Sequence, residues 1–219
     1  MSKIKKIVII IILFFIAILI NSFSYAVTQE EAGESLAKFA KNFYDNYNKD
    51  IILESGHDDE AALGLTVDGK YKFDEWNFVT FMINKCWNLD VKELENFIQA
   101  DVEYLTDTSD FYDKYTEEKD GKIILKDLTI LKPGDICKFA SPTYGEYIYI
   151  GNEEYIYMYN GSMQKSKIEN PQISDIYRIS KEKAESINKG NIIEIYDGEY
   201  EDEYGRYYGT VEGRYVRFI

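Results

Sequence analysis

Histidine is almost missing from these 219 residues: His57 is the only one, and cysteine occurs just twice, as Cys86 and Cys137. That scarcity excludes the usual metal centres, which gather several imidazoles and thiolates from closely spaced positions. His57 precedes Asp58, Asp59 and Glu60. One imidazole among carboxylates in a polar loop reads as solvated surface, so neither a metal nor a cofactor is expected. Two cysteines are too few for a disulfide scaffold. In an exported chain they allow one bridge, and otherwise two separately packed thiols. Positive charge is also short, with 25 Lys and Arg against 39 Asp and Glu and a formal charge of -14. Such a field repels nucleic acid and anionic lipid and favours solubility or cationic partners.

A long apolar run occurs once, from Ile7 to Ile20, after Lys3, Lys5 and Lys6 and before Asn21, Ser22, Phe23, Ser24, Tyr25 and Ala26. A cationic start, a short apolar core and small residues at Ser24 and Ala26 are the parts of an export signal. A spanning helix needs roughly 20 apolar residues, which this run reaches only by taking in Asn21 and its neighbours. Residues 1–26 are read as a signal peptide cut after Ala26, or as an N-terminal anchor that keeps residues 7–20 in the membrane. The remainder carries 22 Lys and Arg against 39 acids, a formal charge of -17.

Behind the signal, Thr28 and Glu31 form a capping-box pattern, and Ala32, Leu36, Phe39, Ala40, Phe43 and Tyr47 recur at helical spacing. Residues 49–70 read as loop. Asp74 caps a second helix through Trp76, Phe78, Val79, Phe81, Met82 and Cys86, apolar nearly all round and therefore central. A third helix is expected from Asp90, with Glu93 completing its capping box. Strand-like runs follow at 122–125, 136–140, 147–150 and 155–159, separated by turns at Pro133-Gly134 and Gly151-Asn152. Helices first and strands afterwards predict an α+β fold, with N-terminal helices packed on an antiparallel sheet. A short helical piece after Arg178 and a Tyr, Gly and acid-rich tail, 181–219, predict a small C-terminal β extension.

Three segments in order carry a resemblance. Phe73-Asp74-Glu75-Trp76-Asn77-Phe78-Val79 looks like the start of the catalytic helix in the NlpC/P60 family of cell-wall cysteine peptidases. Leu131-Lys132-Pro133-Gly134-Asp135-Ile136 is similar to the Pro-Gly-Asp turn that opens that family's sheet. Gly145 to Asn152, followed by Tyr155-Ile156-Tyr157, resembles its histidine-bearing strand and the strand after it. The resemblance implies a papain-like NlpC/P60-type domain over residues 27–180, placed in a bacterial envelope. The protein would be secreted or held on the outer face of the cytoplasmic membrane.

In that family a cysteine at the helix N-terminus, a facing histidine and a third polar residue do the chemistry. The corresponding positions here hold Glu75, Gly145 and Tyr157, so no catalytic residue is expected at them. No small shift of register supplies His57, and Cys86 lies about 16 Å further along the helix at 1.5 Å per residue. The resemblance implies a non-catalytic protein that binds a peptidoglycan fragment or an envelope protein. Candidate ligand-binding residues are Glu75, Trp76, Tyr147, Tyr149, Tyr155, Tyr157 and Tyr159, the tyrosines forming one stripe by strand alternation. Plain sheet packing accounts for the same stripe. Two other functions stay open: a hydrolase working through unusual residues, or an acidic interaction module without a cleft. A Glu75 and Glu146 acid/base pair is disfavoured by the alternation, which turns Glu146 away from Gly145 and Tyr147.

Overall fold

The capping box expected at the first helix is present: Glu31 donates its backbone N–H to Thr28 Oγ1 at 3.1 Å, and Thr28 N–H donates to Glu31 Oε2 at 2.9 Å. It opens helix α1, Gln29–Tyr47. In a computed structural model, residues 26–47, 53–65, 70–141, 143–187, 193–196, 210–211 and 214–218 are described. Residues 1–25, most of the segment read as an export signal, lie outside them. Among the described residues no helix is long and apolar enough to cross a membrane.

The segment read as loop between residues 49 and 70 is more ordered than expected. Strand β1, Leu53–Ser55, pairs in parallel with β2, Tyr71–Phe73, and the single turn α2, Asp59–Ala62, is capped by Asp58. Short elements of polar sequence carry little periodicity, and here tertiary pairing decides. Helix α3, Glu75–Trp87, starts at Asp74 with a full capping box closed by Asn77. Ten of its thirteen residues are buried, so it is the central helix. The next helix, α4, Leu94–Asp101, begins after Glu93, not at Asp90, and Glu93 makes no side-chain cap. The chain then adds β3, Val102–Tyr104, the helix α5, Phe111–Tyr115, and the hairpin β4, Thr116–Lys119, with β5, Lys122–Leu125.

Five strands complete the main sheet: β6, Ile136–Ser141; β7, Gly145–Gly151; β8, Glu154–Tyr159; β9, Ser162–Lys167; and β10, Gln172–Ile179. Its order is β4-β5-β10-β6-β7-β8-β9, with β3 also on β10, and every pairing is antiparallel. The α+β class and the antiparallel sheet are thus as expected, while β9 and the central β10 carry no expectation from sequence. A short helix α6, Lys181–Ser186, follows. In the tail, β11, Ile193–Tyr196, β12, Thr210–Val211, and β13, Arg214–Phe218, form a separate antiparallel sheet.

Both faces of the main sheet are covered. Ile136, Ile148, Ile156 and Met158 meet α1 and α3 in one core, with Phe43, Phe78, Phe81 and Trp87. Cys137, Phe139, Tyr147, Tyr149 and Tyr155 form a second core on the other face, under Phe111, Leu131 and Ile173. Cys86 belongs to the first core and Cys137 to the second; both are free and buried. Burial pushes the Cys86 thiol up to about 12 and the Cys137 thiol well above its usual value, leaving two inert packed thiols.

The Pro133-Gly134 turn fixes α1 against the sheet. A Cβ on Gly134 would stand 2.1 Å from Gly33 O, and one on Gly33 would stand 2.6 Å from Pro133 O. Gly134 also has φ of 91°, a conformation that favours glycine. Behind it Asp135 is buried. It accepts from Lys132 N at 2.8 Å and from Arg178 through Nε at 2.8 Å and Nη2 at 2.7 Å. This forked pair ties the turn to β10.

Candidate functional site

The N-terminus of α3 ends against the start of β7. A Cβ built on Gly145 would lie 3.1 Å from Glu75 Cβ, 3.3 Å from Glu75 Cγ and 3.9 Å from a ring carbon of Tyr147. Tyr147 in turn packs on Tyr157, ring centroids 4.4 Å apart. Glu75, Gly145 and Tyr157, the three positions singled out in the sequence, are therefore joined by contact through Tyr147.

What stands beside them differs from the expected aromatic stripe. Tyr147, Tyr149 and Tyr155 are buried in the second core, where their rings are spent on Phe139 and on one another. The alternation is real, but it turns these three rings into a core and not toward a ligand. Tyr157 is half-buried, with its hydroxyl 3.2 Å from Ser166 Oγ, and Tyr159 is 45% exposed at the strand end. Tyr147 has a positioning role instead. Its hydroxyl donates to Thr143 O at 2.7 Å and fixes the β6–β7 turn that carries Tyr144.

That turn brings in residues which sequence reasoning missed. Tyr144 is 51% exposed and faces the half-buried Trp76, ring centroids 6.3 Å apart. Between and beneath them lies Lys138, with Nζ 4.6 Å from the Trp76 centroid and 5.6 Å from that of Tyr144. Directly across the ladder from Lys138 is Glu146. Its side chain is fully buried, neither carboxyl oxygen has a hydrogen-bond partner among the described residues, and Oε1 is 4.0 Å from Lys138 Nζ. The alternation argument had set Glu146 aside; it does face away from Tyr147, yet that side is where Trp76 and Lys138 lie.

Burial pushes the Glu146 carboxyl up to about 8. Lys138 partly opposes this, while the charges of Asp175 and Glu75 add to it. Asp175 accepts from Thr106 Oγ1 at 3.2 Å and from Tyr177 Oη at 3.4 Å, and the Tyr177 ring meets Tyr104 edge-on at 5.1 Å. The site is thus a mixed aromatic and acidic corner formed by α3, β6, β7 and β10, with the Lys138 ammonium inside it.

Comparison of the chain with protein-family models, with curated proteins and with solved structures gives no match. The site's own chemistry carries the reading. Aromatic rings, one ammonium and a carboxyl held protonated near neutrality can bind a polar ligand that offers both charge and apolar surface. Among the described residues no group of three or more His, Cys, Asp and Glu could hold a metal.

His57 is not simply solvated surface. Its Nδ1 lies 2.9 Å from Asp74 Oδ2 and its Nε2 3.0 Å from Asp59 Oδ1, so it buttresses the cap of α3. Burial opposes its charge, but Asp74 and then Asp59 outweigh that and raise its pKa. A separate cavity of about 80 Å³ opens beside the Pro133-Gly134 turn, lined in part by Gln29, Glu34, Lys132 and Arg178. None of its lining residues belongs to the Glu75 corner.

Proposed function

We propose that this is an exported, non-catalytic relative of the NlpC/P60 cell-wall peptidases that binds a peptidoglycan fragment at the corner where α3 meets β6 and β7. The observation that carries the reading is the contact of Glu75 with Gly145. Where a thiolate and an imidazole would face each other in that family, a carboxylate side chain lies against a bare glycine. The chain's two thiols are buried elsewhere and its one imidazole is engaged by Asp74 and Asp59. Trp76, Tyr144 and Tyr159 supply exposed or half-exposed rings for sugar or peptide. The buried capped helix, the Pro-Gly-Asp turn and the antiparallel sheet are consistent with the papain-like arrangement.

The full chain in mild non-ionic detergent should co-sediment with purified peptidoglycan and release no stem-peptide fragments. Trp76→Ala should weaken that binding at least tenfold while leaving the circular dichroism spectrum unchanged. Retained binding in that variant, or none in the wild type, sinks the proposal.

One observation favours a second reading, a hydrolase acting through carboxyls. Glu146 is held protonated near neutral pH and Glu75 is close enough to contribute to that, a pattern found in acid/base pairs. Fragment release by the wild type that disappears in Glu75→Gln would establish it in place of the binding reading.

A further inference from the structure

A buried carboxyl with two unused acceptors is costly to keep, and Glu146 is such a group. Lys138, the cation beside it among the described residues, fits poorly. Its Nζ is 4.0 Å from Oε1, beyond hydrogen-bond reach. Its ammonium lies under two aromatic rings, at 4.6 and 5.6 Å from their centroids, within the range of cation–π attraction. The Lys138 side chain is 19% exposed and Tyr144 is half exposed, so the corner opens to solvent beside it.

An aromatic wall, a carboxyl floor and a tethered ammonium between them form a box for a primary ammonium. We propose that Trp76, Tyr144 and Glu146 make up a binding site for a ligand's primary ammonium group, and that Lys138 fills it as an internal competitor. A free ligand can approach Glu146 within hydrogen-bond distance, which Lys138 does not, and offers three N–H donors to the orphaned oxygens. Lys138, on a flexible stem, then moves to solvent. The inference concerns the same corner as the cell-wall reading but does not rest on it. A failed peptidoglycan assay leaves it standing.

Proton release is its second signature. Glu146 keeps its proton near neutrality, and the charged or titratable groups facing it are Lys138 from β6, Asp175 and Tyr177 from β10, Glu75 from α3 and Tyr104 from β3, with the Cys137 thiol on the opposite face of the sheet. Seating an ammonium favours the carboxylate and expels that proton, so apparent affinity should rise with pH up to about 8.

The test uses the full chain, methylammonium as probe, and the fluorescence of Trp76 with Trp76→Phe as blank. Lys138→Met removes the ammonium and keeps the stem. It should bind methylammonium saturably and at least tenfold more tightly than the wild type. Adding Glu146→Gln should cost at least tenfold. Tetramethylammonium, which has no N–H, should bind more weakly and ignore Glu146→Gln. No saturable response in folded Lys138→Met, equal affinity in the wild type, or indifference of methylammonium to Glu146→Gln overturns the proposal. Should Lys138→Met fail to fold, the wild type decides by NMR. Methylammonium must shift the Trp76 indole and Lys138 Nζ signals together, and an unmoved Lys138 overturns the proposal.

Discussion

Gly145 meets Glu75 so closely that an added Cβ would be crowded: it would sit 3.1 Å from Glu75 Cβ, and Glu75 would have to give by a few tenths of an ångström. Glu75 cannot easily give way, because Asp74 accepts from Trp76 N and Asn77 N at 2.9 Å and anchors the first turn of α3. Gly145→Ala should therefore destabilise by about 1 kcal/mol, and Gly145→His by more, as expected of overpacking. Glu75→Gly removes the two nearest atoms that the new Cβ would meet, leaving only the ordinary contact with Tyr147 at 3.9 Å. A double-mutant cycle of Gly145→Ala with Glu75→Gly, read by urea unfolding, should give a coupling of at least about 0.5 kcal/mol. Additive losses would mean that the two residues do not constrain each other.

His57 links the β1–α2 segment to the cap of α3, and its raised pKa gives the link a direction in pH. Protonated His57 is favoured by the folded state. Its contribution is full below the unfolded value near 6.5 and is lost as pH rises through the higher folded value. The ring is 53% exposed, so solvent screening holds the effect below about 1 kcal/mol. Unfolding of wild type and His57→Gln between pH 5 and pH 9 should show a gap that closes toward the alkaline end. A gap that widens there contradicts the assignment.

The crossing of Gly33 and Gly134 should tolerate no side chain at either position. Gly33→Ala drives a Cβ to 2.6 Å from a backbone oxygen, and a loss of about 2 kcal/mol is expected. Gly134→Ala adds the penalty of a positive φ and should lose more. Because both changes strain one crossing, the double variant should lose less than the sum of the two. Thermal unfolding of the three variants checks this. Full additivity would separate the two glycines.

Legibility in the sequence followed periodicity. The helices α1 and α3 and the strands β5 to β8 announced themselves because apolar residues repeat along them and capping or turn residues bracket them. Strand β10 did not. Its register shifts between Gln172 and Ile173 and again between Ile173 and Asp175, which breaks the two-residue alternation that would reveal it. Losing β10 also hid Asp175 and Tyr177. Glu75 and Trp76 were legible from the helix start, whereas Glu146 was set aside by the alternation and Lys138 was passed over, although together they left a signal. Each is a charged residue on the helix-facing side of its strand, where Ile136, Ile148 and Ile156 are apolar, and they lie opposite each other. A charge on each of two neighbouring apolar faces is the mark of a cross-strand pair. The buried tyrosines were misjudged because alternation gives a shared face without saying what covers it.

Glu146 sets the remaining prediction, in stability and not in binding. Its carboxyl titrates at about 8 in the folded chain against 4.5 ordinarily, so between those values the folded state holds a proton that the unfolded state has released. Stability from this group is full below pH 4.5, falls as pH rises, and is exhausted above about 8. The slope approaches 1.4 kcal/mol per pH unit, with roughly 5 kcal/mol over the whole window as an upper limit. Glu146→Gln has no proton to lose. It should match the wild type near pH 4.5 and surpass it by an increasing margin toward pH 8, measured by urea unfolding at each pH. Parallel curves for the two proteins would mean that Glu146 is already ionised in the fold. Lys138→Met should move the other way, carrying the decline on to higher pH than in the wild type at the same limiting slope, because it removes the cation that draws the Glu146 value down.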